Sequence, residues 1–192
     1  GRDEAGIYAD LELEGIRQRF RFIPAGTFVI GARPGEPGRD DDESPVQITL
    51  SRAFWLADSE LSQGFVEAHG LRHNSRFSGY ELPVDRLTWG DAQDLVRALN
   101  ERVPGLRARL PAEAEWEYAG RAGARAPYLG ADGPVSVDAL DEVAWYAGNA
   151  SMSNDIRQRQ PNRLGLYDMH GNVWEWTADR YAAYPAAPTT DP

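Results

Sequence analysis

Residues 165–176 read GLYDMHGNVWEW. Asp168 and Glu175 stand on either side of Gly171, which permits a tight backbone bend, so both carboxylates and the intervening carbonyl oxygens can converge on a hard cation. Calcium suits such an oxygen-only donor set. The same residues support a second reading, in which Asp168 and Glu175 accept loop N–H groups while Trp174 and Trp176 fill the core.

Outward from this stretch the chain alternates short regular segments with loops. Phe20 to Ile30 (FRFIPAGTFVI) reads as two short strands turning hairpin-like at Pro24-Ala25-Gly26. Val46 to Leu50 (VQITL) alternates as a strand, and Phe54-Trp55-Leu56 follows as an apolar stretch. A first helix is expected over Ser62 to His69. A second begins after Thr88, a natural N-cap with Asp91 three residues on, and should bury the stripe Trp89, Ala92, Leu95, Val96 and Leu99 before Pro104-Gly105 ends it. A third, acidic helix spans Ala112 to Ala119, behind Pro111. Gly120 to Asn162 reads as ordered loops, and Tyr181 to Pro192 as a loop or tail. With 19 Gly and 13 Pro, the pattern is a loop-rich α+β domain whose six Trp are expected to tie the loops to the core.

Composition narrows the function. At 192 residues and 42% hydrophobic, the chain suits one globular domain over 1–192. A net charge of -10 disfavours nucleic acid and anionic membranes as partners, and no apolar run reaches the roughly 20 residues that span a bilayer. There is no cysteine, which excludes disulfides, thiolate metal sites and cysteine nucleophiles within these residues and fits a reducing, cytoplasmic compartment. Asp40 to Glu43 are four consecutive acids, read as a solvated loop. Glu113, Glu115 and Glu117 cannot share one helical face at i, i+2, so they read as helix charge with one member paired to Arg109 or Arg121. His69, His73 and His170 read as separate polar side chains.

Four segments in order, FRFIPAGTFVIGA (20–32), PVDRLTWGDAQDLVRALNER (83–102), RLPAEAEWEYAGRAG (109–123) and NRLGLYDMHGNVWEWTAD (162–179), resemble the formylglycine-generating-enzyme (sulfatase-modifying-factor) family of bacterial and other proteins. The resemblance implies a C-type-lectin-like fold and a structural Ca²⁺ on the side chains of Asp168 and Glu175 and the backbone oxygens of Gly171 and Val173. It also implies a second calcium site with Asn149, Asn154 and Asp155 as candidate ligands. Copper-dependent oxidases of this family place paired cysteines in a later portion of the domain, and iron-dependent relatives use a histidine triad; neither set is in this chain. The leading expectation is therefore a non-catalytic ligand- or protein-binding module, of which the variable display proteins of diversity-generating retroelements are one kind. The alternatives are a copper oxidase whose cysteines lie beyond Pro192, and a recognition fragment of a larger or cleaved protein. A lectin-like core ending at Pro192 would expose apolar surface, so a completing carboxyl-terminal segment or second chain is expected.

Overall fold

A computed structural model describes residues 1–36, 39–124, 129–130, 133–134 and 136–192. Chain order runs β1 (Arg2–Asp3), β2 (Gly6–Leu13), β3 (Ile16–Ile23), β4 (Gly26–Ile30), β5 (Val46–Leu50), β6 (Phe54–Ala57), α1 (Gln63–Ala68), α2 (Trp89–Arg102), α3 (Glu113–Arg121), β7 (Leu129–Gly130), β8 (Gly133–Pro134), a 3₁₀ turn (Val137–Glu142) and β9 (Thr189–Thr190). Among the described residues no helix is long and apolar enough to cross a membrane.

Two sheets carry the architecture. The first is antiparallel in the order β1-β2-β3-β6, and the second has the order β4-β5-β9 with β9 parallel to β5. Strands β2 and β3 join through Glu14 and Gly15, both at positive φ (51° and 81°), as a two-residue hairpin with the strand twist requires. The expected hairpin around Pro24 does not form: β3 pairs with β2 and β6, whereas β4 pairs with β5. Proline cannot take the positive φ of a tight two-residue turn, so Pro24-Ala25 instead hands the chain from one sheet to the other.

Helix α3 locks the sheets together. Ala114 packs into the cluster of Ile30, Val46, Ile48 and Leu50, and Ala119 into that of Ile23, Leu166 and Met169; Phe54 and Tyr118 touch both clusters. Small side chains let this helix lie close. Ala112 has no side chain with which to cap it, and Glu115 reaches back to the Ala112 N–H at 2.8 Å. Glu115 is also paired with Arg109, and Glu117 with Arg121, so both arginines find carboxylates on this helix.

Helices α1 and α2 start as expected. Ser62 Oγ accepts the Phe65 N–H, and Thr88 with Asp91 forms a reciprocal capping box. Of the α2 stripe, Ala92 and Leu99 are buried and Leu95 and Val96 half-buried, but Trp89 is half-exposed, its indole N–H donating to Thr177 O at 2.9 Å. His69 is not a free polar side chain: it is buried at the end of α1, with Nδ1 2.7 Å from Phe65 O. The last residues are more than a tail, because Tyr184 packs on the first cluster and Thr189–Thr190 extends the second sheet.

Candidate functional site

The stretch 165–176 folds as an irregular loop wedged between the first sheet and residues 145–157. Two of its glycines are dictated by contact. A Cβ on Gly165 would lie 2.7 Å from the Arg21 guanidinium, and one on Gly171 would lie 2.0 Å from Trp145 O. Between them Asp168 and Asn172 adopt left-handed backbone, φ 58° and 64°, which Asp and Asn tolerate better than most residues.

Asp168 is 4% exposed. Its Oδ2 accepts the Arg157 N–H at 2.8 Å, while Oδ1 is buried without a hydrogen-bond partner. The Arg157 guanidinium turns elsewhere, to Asp58 at 3.3 Å and Glu81 at 3.6 Å. A third carboxylate, Glu60, joins from the segment after β6: Oε1 accepts the Val173 N–H and Oε2 an Asn172 side-chain N–H, each at 3.3 Å. Glu175 is exposed to solvent on the wall of an open cavity.

The electrostatics follow from that crowding. Burial pushes the Glu60 carboxyl far above its usual range, and the neighbouring Asp168 and Glu175 add to the push. Burial likewise raises Asp168, opposed by the Arg157 N–H, by the Glu60 carboxyl, which when protonated can donate to it, and by the Arg157 charge. Glu175 is pushed up to about 7 by burial, with the Trp116 indole opposing and Asp168 assisting. Three carboxylates that resist ionisation together, one with an orphaned buried oxygen, suit a cation. Among the described residues no three His, Cys, Asp or Glu side chains gather tightly enough to hold a metal alone, so an ion here would draw on backbone oxygens as well.

The residues suggested for a second calcium are placed otherwise. Asn149 staples its own loop, accepting Tyr146 N–H and donating to Asp141 and Ala144 O. Asn154 meets the first loop through Asn172, which bonds both its N–H and its carbonyl. Asp155 is exposed.

Beside the loop opens a cavity of about 1280 Å³. One wall is a face of the first sheet, where the row Ala9–Phe20–Ala57 lies next to Trp55; the opposite wall includes Leu95 and Val96 of α2. Trp55, Trp145, Trp174 and Trp176 line it. Trp174 is fully exposed and Trp55 and Trp176 are half-exposed, which corrects the expectation of packing for these three, whereas Trp116 packs against the second core cluster as expected. Trp176 is nonetheless fixed by its N–H to Leu87 O at 2.8 Å.

Sequence reasoning found Asp168 and Glu175 but not Glu60. Nothing in ADSELS (57–62) marks Glu60 as buried, because its partners are backbone and side chain more than 110 positions away.

The sequence profile of the sulfatase-modifying factor enzyme 1-like domain matches residues 17–190. The formylglycine-generating enzyme of Mycobacterium tuberculosis is 37% identical over 112 residues, 54% of this chain and 34% of that protein. The inactive C-alpha-formylglycine-generating enzyme 2 of Mus musculus is 33% identical over 141 residues, 69% of this chain and 40% of that protein. The chain thus spans less than half the length of either relative. Treponema denticola variable protein 1, a solved structure, superposes with a TM-score of 0.82 at 22% identity, covering 95% of this chain and 80% of that one. The α+β arrangement is the C-type-lectin-like fold of these proteins.

Proposed function

We propose, for a chain that belongs to the sulfatase-modifying factor enzyme 1-like domain family, the role of a calcium-stabilised binding module that recognises polypeptide through its open apolar cavity. The observation that carries this reading is Trp174, fully exposed among the aromatic and aliphatic side chains that line the cavity. Contiguous apolar surface of this kind marks interaction sites, and the cavity is larger than the roughly 300–1,000 Å³ typical of small-ligand pockets. Its occupant is a protein partner or a further stretch of polypeptide completing the fold. The inactive mouse relative lends support to a non-catalytic role.

Calcium in this reading is structural. Asp168 and Glu175 would hold it with the backbone oxygens of Gly171 and Val173, and the ion would neutralise a buried cluster of negative charge. The orphaned Asp168 Oδ1 supports the assignment.

A second reading, copper-dependent formylglycine formation, is favoured by the 37% identity to an enzyme of that activity. It needs cysteines from outside these 192 residues, since the chain has none.

Two experiments separate the readings. A photo-crosslinking amino acid at Met152, exposed on the cavity wall that Trp174 also lines, should capture a protein in cells, while the same group at Glu12, on the exposed part of β2, should not. Purified protein that includes whatever its gene encodes outside these 192 residues, supplied with copper, oxygen and a cysteine-containing sulfatase peptide, should form no aldehyde. Aldehyde formation, or equal crosslinking from both positions, would overturn the binding-module reading.

A further inference from the structure

We infer that Glu60 is the positioning residue of the 168–175 loop, fixing its backbone for the cation. The inference rests on the reading of that loop as a calcium site.

The loop is pinned from two directions. Gly171 is pressed against Trp145 O, and the Asn172 N–H donates to that same oxygen at 2.9 Å. From the other side Glu60, 8% exposed, accepts from Val173 N–H and the Asn172 side chain at 3.3 Å each. Asn172 then passes the restraint onward, accepting Asn154 N–H at 2.9 Å and donating to Asn154 O at 3.1 Å. One carboxylate therefore fixes the backbone on both sides of the Asn172–Val173 peptide, between the two carbonyls assigned to the ion.

An amide side chain would not serve equally. Glutamine could accept the Val173 N–H through its carbonyl, but its NH₂ would then meet the Asn172 NH₂ as donor against donor. The glutamate carboxyl offers one acceptor oxygen to each donor. Asp168 Oδ1, buried in the same cluster without a donor, is the oxygen left for the ion, while Glu60 holds the loop that carries the backbone oxygens. Residues around metal ligands that orient them typically change affinity 10–100-fold when replaced.

The test uses the whole chain, with Ca²⁺ binding followed by calorimetry and by displacement of Tb³⁺, whose luminescence neighbouring tryptophans sensitise. Wild type is expected to bind Ca²⁺ and Asp168→Asn to lose it. Glu60→Gln should bind Ca²⁺ roughly 10–100-fold more weakly, so that Ca²⁺ raises its melting temperature less than it raises that of wild type. Glu60→Asp keeps the carboxyl but withdraws it by one methylene, and should also weaken binding; it decides the matter if Glu60→Gln does not fold. Wild-type affinity in the folded Glu60 variants, with a melting temperature lowered equally with and without Ca²⁺, would reduce Glu60 to a structural role and overturn the inference alone. Absence of Ca²⁺ binding by wild type would overturn the calcium reading and this inference with it.

Discussion

Gly171 lies against the carbonyl of Trp145 so closely that a methyl group at position 171 would sit 2.0 Å from that oxygen. The contact is backbone against backbone, so no side-chain rotation relieves it. Gly171→Ala should therefore lower stability by about 1–3 kcal/mol, as overpacked sites do. Gly90→Ala is the control: the nearest atom to its Cβ is 3.7 Å away, and alanine within α2 should be neutral or stabilising by up to about 1 kcal/mol. Urea denaturation of both variants measures the difference, and equal midpoints would contradict the packing account.

The acid limb of stability should depend on Arg109 and Glu115. Burial pushes the Glu115 carboxyl up, but the Arg109 guanidinium, at 2.5 and 2.6 Å, and the Ala112 N–H outweigh it and hold the carboxyl below its usual value. A carboxyl lowered by folding contributes stability that is present above its unfolded pKa, about 4.3, and lost as pH falls through the folded value. Arg109→Gln should thus lose stability near pH 7 and show a flatter decline between pH 5 and 3. Parallel wild-type and variant curves of unfolding free energy against pH would refute the assignment.

Tyr184 ties the late chain to α3, donating to Glu113 at 2.8 Å with Glu117 at 3.3 Å. Burial and the two carboxylates raise its pKa, so it stays a donor at ordinary pH. Tyr184→Phe should cost about 1.5–3 kcal/mol, the range for hydrogen bonds to charged groups. Hydrogen exchange at Thr189 to Asp191 should rise in parallel, because β9 is a two-residue strand held by β5 and by Asp191 to Ser51. Unchanged protection there would separate Tyr184 from β9.

Trp174 and Leu99 should behave as opposites. Trp174→Ala removes a fully exposed indole and should shift stability by no more than about 0.5 kcal/mol while abolishing partner capture. Leu99→Ala, in the buried stripe of α2, should cost about 2–5 kcal/mol. Thermal melts of both variants make the comparison, and a strongly destabilised Trp174→Ala would mean that the indole packs in solution.

Calcium should stabilise the fold by mass action. At a free concentration one hundred times its dissociation constant the gain is about 2.7 kcal/mol, reversed by chelation and absent in Asp168→Asn. Melts with and without a chelator test this, and a wild-type protein indifferent to both would remove calcium from the account.

What the sequence revealed follows how local each determinant is. The α2 capping box, the VQITL strand and the Asp168–Glu175 pair declare themselves within a few residues, and α2 and the strand stand where their patterns put them. The burial of Glu60 does not, since it depends on the meeting of residues 60 and 172–173. Strand β2 was equally silent: GIYADLEL carries Asp10 and Glu12 on one face, and Asp10 is balanced by Arg19 and Arg17 of β3 across the ladder. The tryptophans misled for a different reason. Their size argues for burial, but on a cavity wall the same size argues for contact with something else.

The parallel pairing of β9 with β5 bears on the order in which the chain can assemble. The four strands of the first sheet are complete once residue 57 has emerged from the ribosome, whereas Ser51 waits 140 positions for Asp191. During synthesis the hairpin of β2 and β3 can close early, but the β4-β5 ribbon must persist with one edge bare until nearly all of this sequence has been made. Loops closed over such separations are slow, and bare edges attract mispairing. The acidic run of Asp40 to Glu43, just ahead of β5, places mutually repelling charge beside that waiting edge.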